Sequence, residues 1–281
     1  MDKQQPILQA LSAEDSEVAE RLVSRRAAIA RGAVSSTAVV AGLRMASVPV
    51  ALAALSREAF GQTRLPAVVV NVLNFALVLE ELEYEFYQRG TDATGLIPAQ
   101  DRAIFNTLRA HELDHRDFLR RTLGASARPK PTFDFTAGNG SGSGPYANVF
   151  TNYDTFKAVA QAFEDTGVRA YKGQAAALLP YKDVLTAALT IHSVEARHAS
   201  EVRRLRGNFT DEGPFGQGWI NGNQTNIPGT AAVYAGEDNV MQGGVDVTTI
   251  VPSVSRNEIT EAFDEPLTQA QVLAIVDPFI A

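Results

Sequence analysis

Apolar positions recur every three or four residues in four stretches of the chain, and each stretch ends at a helix breaker. Between Leu65 and Gly90 they are Val69, Val72, Leu73, Ala76, Leu79, Leu82 and Phe86. This spacing predicts a helix over 65–90 with Gly90 as its stop. A second helix is predicted over 99–123, with Ile104, Leu108, Leu113, Phe118 and Leu119 as apolar positions and Gly124 as its end. A third runs over 154–179 and stops at Pro180, and a fourth over 182–206 ends at Gly207. Residues 125–150 are rich in Gly, Pro and Ser, which predicts a long crossover between the second and third helices. The pattern is that of an all-α chain with a four-helix bundle over 64–207.

Beyond Gly207 the pattern changes. Residues 208–254 are rich in Gly, Asn and Thr and carry little helical period. Ser255 with Glu258, and Thr268 with Gln271, have capping-box spacing and predict two short helices. The expectation for 208–281 is an irregular C-terminal tail that wraps or caps the bundle. It is also the expected place for a contact in a homo-oligomer.

The N-terminal segment reads differently again. A polar stretch over 1–23 leads to Ser24-Arg25-Arg26-Ala27-Ala28-Ile29-Ala30, then to a small-residue apolar run from Gly32 to about Leu55. Paired arginines before a modest apolar run resemble a twin-arginine (Tat) signal. Arg44 leaves no uncharged run of the ~18 residues a membrane span needs. Residues 1–61 are therefore expected to be a Tat-like signal, with small residues suiting cleavage at Ala51-Leu52-Ala53 or Ala59-Phe60-Gly61. Retention as an uncleaved anchor is the alternative to cleavage, and an ordinary amphipathic helix the alternative to a signal. The resemblance implies the Tat export machinery as a partner and a periplasmic or cell-envelope location.

Composition then narrows the chemistry. The chain has 281 residues and a formal charge of −7, so no basic footprint points to nucleic acid. It has no cysteine, which removes disulfides, thiolate zinc sites, iron–sulfur clusters and cysteine nucleophiles together.

The remaining candidates repeat. The first predicted helix has Glu80 and, seven residues on, Tyr87; the second has Glu112 and, three on, His115. The third has Glu164 and Tyr171 at the same spacing, and the fourth Glu195 and His198. The repeat predicts two related helix hairpins facing each other across a pseudo-twofold axis. Positions i and i+3 lie ~60° apart and ~4.5 Å along a helix, so Glu and His of each pair reach one region from one face. Seven residues is almost two turns, which puts each Tyr on the stripe of its Glu, able to hydrogen-bond a carboxylate on a neighbouring helix. Four buried Glu repel one another, and two divalent cations cancel their charge. One Glu from each of two helices plus Glu-x-x-His from each of two others is a dinuclear carboxylate set, suited to iron or manganese. The expected metal ligands are thus Glu80, Glu112, His115, Glu164, Glu195 and His198, with Tyr87 and Tyr171 behind them. Glu80, Glu81, Glu83 and Glu85 form an acidic run that is expected to be mostly exposed, with Glu83 the rival to Glu80 as ligand. His111 and His192 have no Glu three residues before them and are expected at the surface or behind the ligands.

The stretches Leu73–Leu77, Glu80–Tyr87, His111–His115, Phe163–Tyr171 and Val194–His198 resemble the ferritin-like superfamily. More narrowly, with Glu261–Thr268 in the tail, the chain resembles an exported ferritin-like family related to plant desiccation-associated proteins. The resemblance implies a ferritin-like four-helix bundle that can carry a dinuclear metal site, and the ligand types lead to the expectation of two iron ions, with two manganese ions the alternative. Bacterioferritin binds haem through a Met inside its second-helix motif; Leu113 and Asp114 fill that gap here, so no haem is expected. The leading expectation is a di-iron redox protein of the envelope that oxidises iron or handles dioxygen or peroxide in stress protection. A manganese catalase-like enzyme is the second reading. A non-enzymatic desiccation or stress scaffold is the third.

Overall fold

The computed structural model describes residues 65–207 and 217–281. The expected signal over 1–61, with its paired arginines and cleavage positions, lies outside the described residues, as does the start of the tail. Four long helices are present: α1 (Ala67–Asp92), α2 (Arg102–Leu123), α3 (Tyr153–Leu178) and α4 (Lys182–Arg206). α1 packs on α2 and α3 on α4 as two hairpins, and the hairpins meet along α1 and α3. This is the expected all-α bundle with a long crossover between α2 and α3. Among the described residues, no helix is long and apolar enough to cross a membrane.

Local chemistry sets two of the long-helix ends. Asn152 caps α3 by accepting from the Thr155 N–H at 2.9 Å. Gly124 ends α2 with φ +54°, a conformation open to glycine at little cost. Gly90 does not stop α1, which continues to Asp92. Its role is a close approach: a Cβ there would stand 2.2 Å from Cε2 of Phe156 on α3. The missing side chain lets that ring stack on Phe86 at 4.7 Å and 12°. Phe163 also meets Phe86, edge-on at 5.1 Å.

The tail holds α5 (Ala231–Tyr234), a hairpin of β1 (Met241–Gln242) and β2 (Val245–Asp246), α6 (Val247–Ile250), α7 (Arg256–Thr260) and α8 (Gln269–Val276). Both expected capping boxes form, at the starts of α7 and α8. The described tail lies along α3, where residues 161–170 are all buried. That stretch is polar on its outer side, and the tail supplies the partners. Arg169 is 1% exposed and donates to the carbonyls of Val233, Ala235 (2.8 Å) and Glu265 (2.7 Å), and it pairs with Glu237 at 2.7 Å. Asp165 is gripped by Arg203 of α4 and accepts from the Tyr234 hydroxyl at 2.7 Å. Gly173 completes the fit, because a Cβ there would stand 1.9 Å from the Leu267 carbonyl oxygen. The chain end is tied down as well: Asp134 N–H donates to Phe279 O at 2.8 Å, and Ala281 N–H to Thr132 O at 2.9 Å.

Candidate metal centre

Each of the four long helices sends its Glu into the middle of the bundle. Glu80, Glu112, Glu164 and Glu195 have no exposed surface, and His115 and His198 are almost as deeply buried. The structure brings all six together in two overlapping groups. Ligand atoms of Glu80, Glu112, His115 and Glu195 lie within 4.8 Å of one another, and so do those of Glu112, Glu164, Glu195 and His198. Glu112 and Glu195 belong to both groups and stand between them, while Glu80 and Glu164 belong to one group each and are the outer carboxylates.

Both imidazoles point Nδ1 inward. His115 Nδ1 lies 3.2 Å from Glu80 Oε2, 3.2 Å from Glu112 Oε2 and 3.0 Å from Glu195 Oε1. His198 Nδ1 lies 2.8 Å from Glu112 Oε1 and 3.4 Å from Glu164 Oε2.

The tyrosines cross between hairpins. Tyr87 of α1 donates to Glu164 Oε1 of α3 at 2.5 Å, and Tyr171 of α3 donates to Glu80 Oε1 of α1. Each outer carboxylate therefore has one oxygen held and the other turned inward. Those inward atoms make no well-aligned hydrogen bond: Glu80 Oε2, Glu112 Oε1, Glu164 Oε2, both oxygens of Glu195, and His198 Nδ1, although an imidazole Nδ1 stands within 3.4 Å of four of the oxygens. Leaving so many buried acceptors poorly satisfied is costly unless a cation completes them. Four carboxylates and two imidazoles that converge in this way fit two divalent ions.

The electrostatics show the same strain. Burial pushes the Glu80 carboxyl up to about 7, against the pull of His115. Burial and the neighbouring carboxylates, Glu112 first, raise Glu195 well above its ordinary range. Burial also raises Glu164. Burial works to raise Glu112 as well, but His198 and His115 outweigh it and hold that carboxyl below the usual range. Burial disfavours the charged imidazoles, yet the carboxylates around them raise both His115 and His198. Four acids and two bases thus share protons in the place a cation pair would neutralise.

His111 is exposed and stands outside both ligand groups, but it touches the site. Its Nδ1 lies 2.9 Å from His198 Nε2, with the two rings nearly parallel. His192 is half-buried on α4 and also lies outside both groups.

The acidic run of α1 departs from expectation. Glu81 and Glu83 are buried rather than exposed. Glu81 pairs with Arg120 of α2. Glu83 turns toward the centre, where burial and then Glu195 and Glu164 drive its carboxyl well up. Its position three residues after Glu80 was the available signal, because that spacing shares a helix face.

Comparison with known proteins agrees with this geometry. A search of curated proteins finds no match to the chain. A family model, the ferritin-like domain, matches residues 69–208. That range spans the four helices that carry the clustered Glu and His and the crossover between them, and the bundle of this chain has the ferritin-like four-helix fold.

Proposed function

We propose that this chain is a dinuclear metal-binding protein of the cell envelope, holding two iron ions and acting on dioxygen or peroxide in stress protection. The observation that carries the reading is the pair of overlapping buried ligand groups, whose inward oxygens make no well-aligned hydrogen bond. Glu80 and His115 would hold one ion, Glu164 and His198 the other, with Glu112 and Glu195 between them. When bound, an iron pair supplies two one-electron equivalents, enough to reduce one peroxide to two waters with two protons.

The chain's own residues do the rest. Tyr87 and Tyr171 hold the outer carboxylates in one orientation from the opposite hairpin. His111 takes the outer nitrogen of His198 and leaves Nδ1 for the ion. The ligand carboxylates are sealed from water, so their charge acts at low dielectric.

The same donors accept manganese. The export reading rests on Arg25-Arg26 and the apolar run after them.

The test is metal content per chain in protein purified from the exported fraction, beside a Glu112→Ala/His198→Ala variant. The expected result is about two iron per wild-type chain, lost in the variant. Two manganese per chain, with oxygen release from peroxide, would replace iron with the catalase-like reading. No stoichiometric metal after anaerobic Fe(II) or Mn(II) addition would overturn both. Protein confined to the cytosolic fraction would overturn the envelope location.

A further inference from the structure

The described tail does not close fully on α3. Between the crossover, α3, α5 and the chain end it leaves a cavity of about 240 Å³, which shares no residue with the candidate metal centre. Its floor is buried and aromatic. Phe279 lies parallel to Tyr146, with ring centroids 6.0 Å apart and planes within 6°, and it meets Phe163 edge-on at 4.9 Å. Its mouth is exposed and built from Pro145, Gly229, Ala232 and Ala274, whose side chains are too short to fill it. Among the described residues, no charged group lines the cavity and the polar side chains are two hydroxyls, Tyr146 and Thr230. Both have committed their protons: Tyr146 donates to Pro228 O at 2.5 Å and Thr230 to Ile227 O at 2.8 Å. The Thr230 oxygen also meets the Thr225 hydroxyl at 2.8 Å. The Tyr146 oxygen keeps an accepting lone pair. Gly229, at φ +82°, leaves room beside it, because a Cβ there would stand 3.3 Å from that oxygen. Water gains few hydrogen bonds in such a hollow, which favours an apolar occupant.

We propose that this cavity is a binding site for a compact, neutral aromatic molecule of two fused rings that carries one hydrogen-bond donor, of the phenol or indole class. Size sets the ring count: an apolar cavity of about 150 Å³ already admits benzene, and this one is larger. The rings of Tyr146, Phe163 and Phe279 offer faces and edges to a flat ligand. The lack of charge in the walls disfavours an ion. The Tyr146 oxygen accepts the ligand's one donor. The walls come from the crossover, α3 and the tail together, so an occupant ties the tail to the bundle and stabilises the fold by mass action. None of this depends on the metal content of the protein.

The test is calorimetric titration of the full chain with three probes. 2-Naphthol has the rings and the donor, naphthalene the rings alone, and 1-octanol the hydroxyl on a flexible chain. Each is titrated into wild-type protein, Ala162→Leu and Ala274→Phe, with circular dichroism as the folding control. Ala162→Leu grows into the cavity from the buried face of α3. Ala274→Phe blocks the mouth from an exposed position on α8, and it tests the same point should Ala162→Leu not fold. Wild-type protein is expected to bind 2-naphthol saturably, about fivefold more tightly than naphthalene and more tightly than 1-octanol. Either variant is expected to weaken 2-naphthol by about tenfold or more. No saturable binding to wild-type protein, or binding indifferent to both variants, would overturn the site. Tighter binding of 1-octanol would overturn the aromatic class in favour of an acyl chain. Equal affinity for 2-naphthol and naphthalene would overturn the role of the Tyr146 oxygen.

Discussion

The Tyr87 hydroxyl, on the first helix hairpin, donates at 2.5 Å to Glu164 on the second, and Tyr171 returns the bond to Glu80. Each hairpin thus holds the outer carboxylate of the other. Neither half of the centre is complete alone, so site geometry is coupled to the packing of α1 on α3.

Removing one of these hydroxyls is expected to loosen one ion more than the other. Tyr87→Phe frees Glu164 and should weaken binding at its end by about tenfold. Tyr171→Phe should do the same at the Glu80 end. Stepwise Mn(II) titration of each variant checks this, and equal weakening of both ions in both variants would refute the assignment of outer positions.

His111 offers a second test, on the solvent side. His111→Ala removes the partner of His198 Nε2 and leaves all six ligands in place. Ion affinity is expected to fall by about tenfold through lost ring orientation. His111→Gln retains a hydrogen-bonding side chain and should restore part of the loss. Titration of both variants under one buffer decides the matter.

The metal-free protein should lose stability as pH rises. Glu80, Glu83, Glu164, Glu195 and Glu237 all have carboxyls raised in the folded state, Glu80 and Glu237 to about 7. A raised folded value means the folded state holds protons that the unfolded chain has released. Its contribution is complete below the unfolded value and lost as pH climbs through the folded one. His115 and His198 are raised and act with the same sign. Glu112 is lowered, so its contribution is present above its unfolded value and is lost only in acid. The urea midpoint of chelator-treated protein should therefore be lower at pH 8 than at pH 6. Saturating Mn(II) should reverse that order, because the ion takes the place of the shared protons.

The tail should depend on Arg169. Arg169→Met leaves Glu237 and three tail carbonyls without their buried donor, at a cost of about 3–5 kcal/mol. Gly173→Ala drives a methyl into the Leu267 carbonyl and should cost about 1–3 kcal/mol. Urea unfolding measures both losses. Limited proteolysis should cut the tail of each variant faster than that of the wild type, with the bundle persisting as the larger fragment.

The residues that converge at the centre were legible before any fold was known, because helical period is local. Glu112 with His115, and Glu195 with His198, share a face whatever surrounds them. The capping boxes at Ser255 and Thr268 are local in the same way, and both form. Gly90 misled for a related reason. A glycine near a pattern's end reads as a stop, while its use here is set by Phe156, sixty-six residues away.

Sequence alone determined the four long helices, the long crossover and the repeated Glu, Tyr, Glu-x-x-His pattern, but not the short helices at Ala231–Tyr234 and Val247–Ile250. What it determined follows from spacing along one chain segment. Tertiary structure alone decided which carboxylates of the acidic run are buried, which Glu stand between the two groups, and what covers the polar outer face of α3. Burial and charge pairing depend on neighbours distant in sequence: Glu83 acquires its surroundings from Gly167 and Glu195, and Arg169 from a tail more than sixty residues downstream. No periodicity within a single helix carries that information.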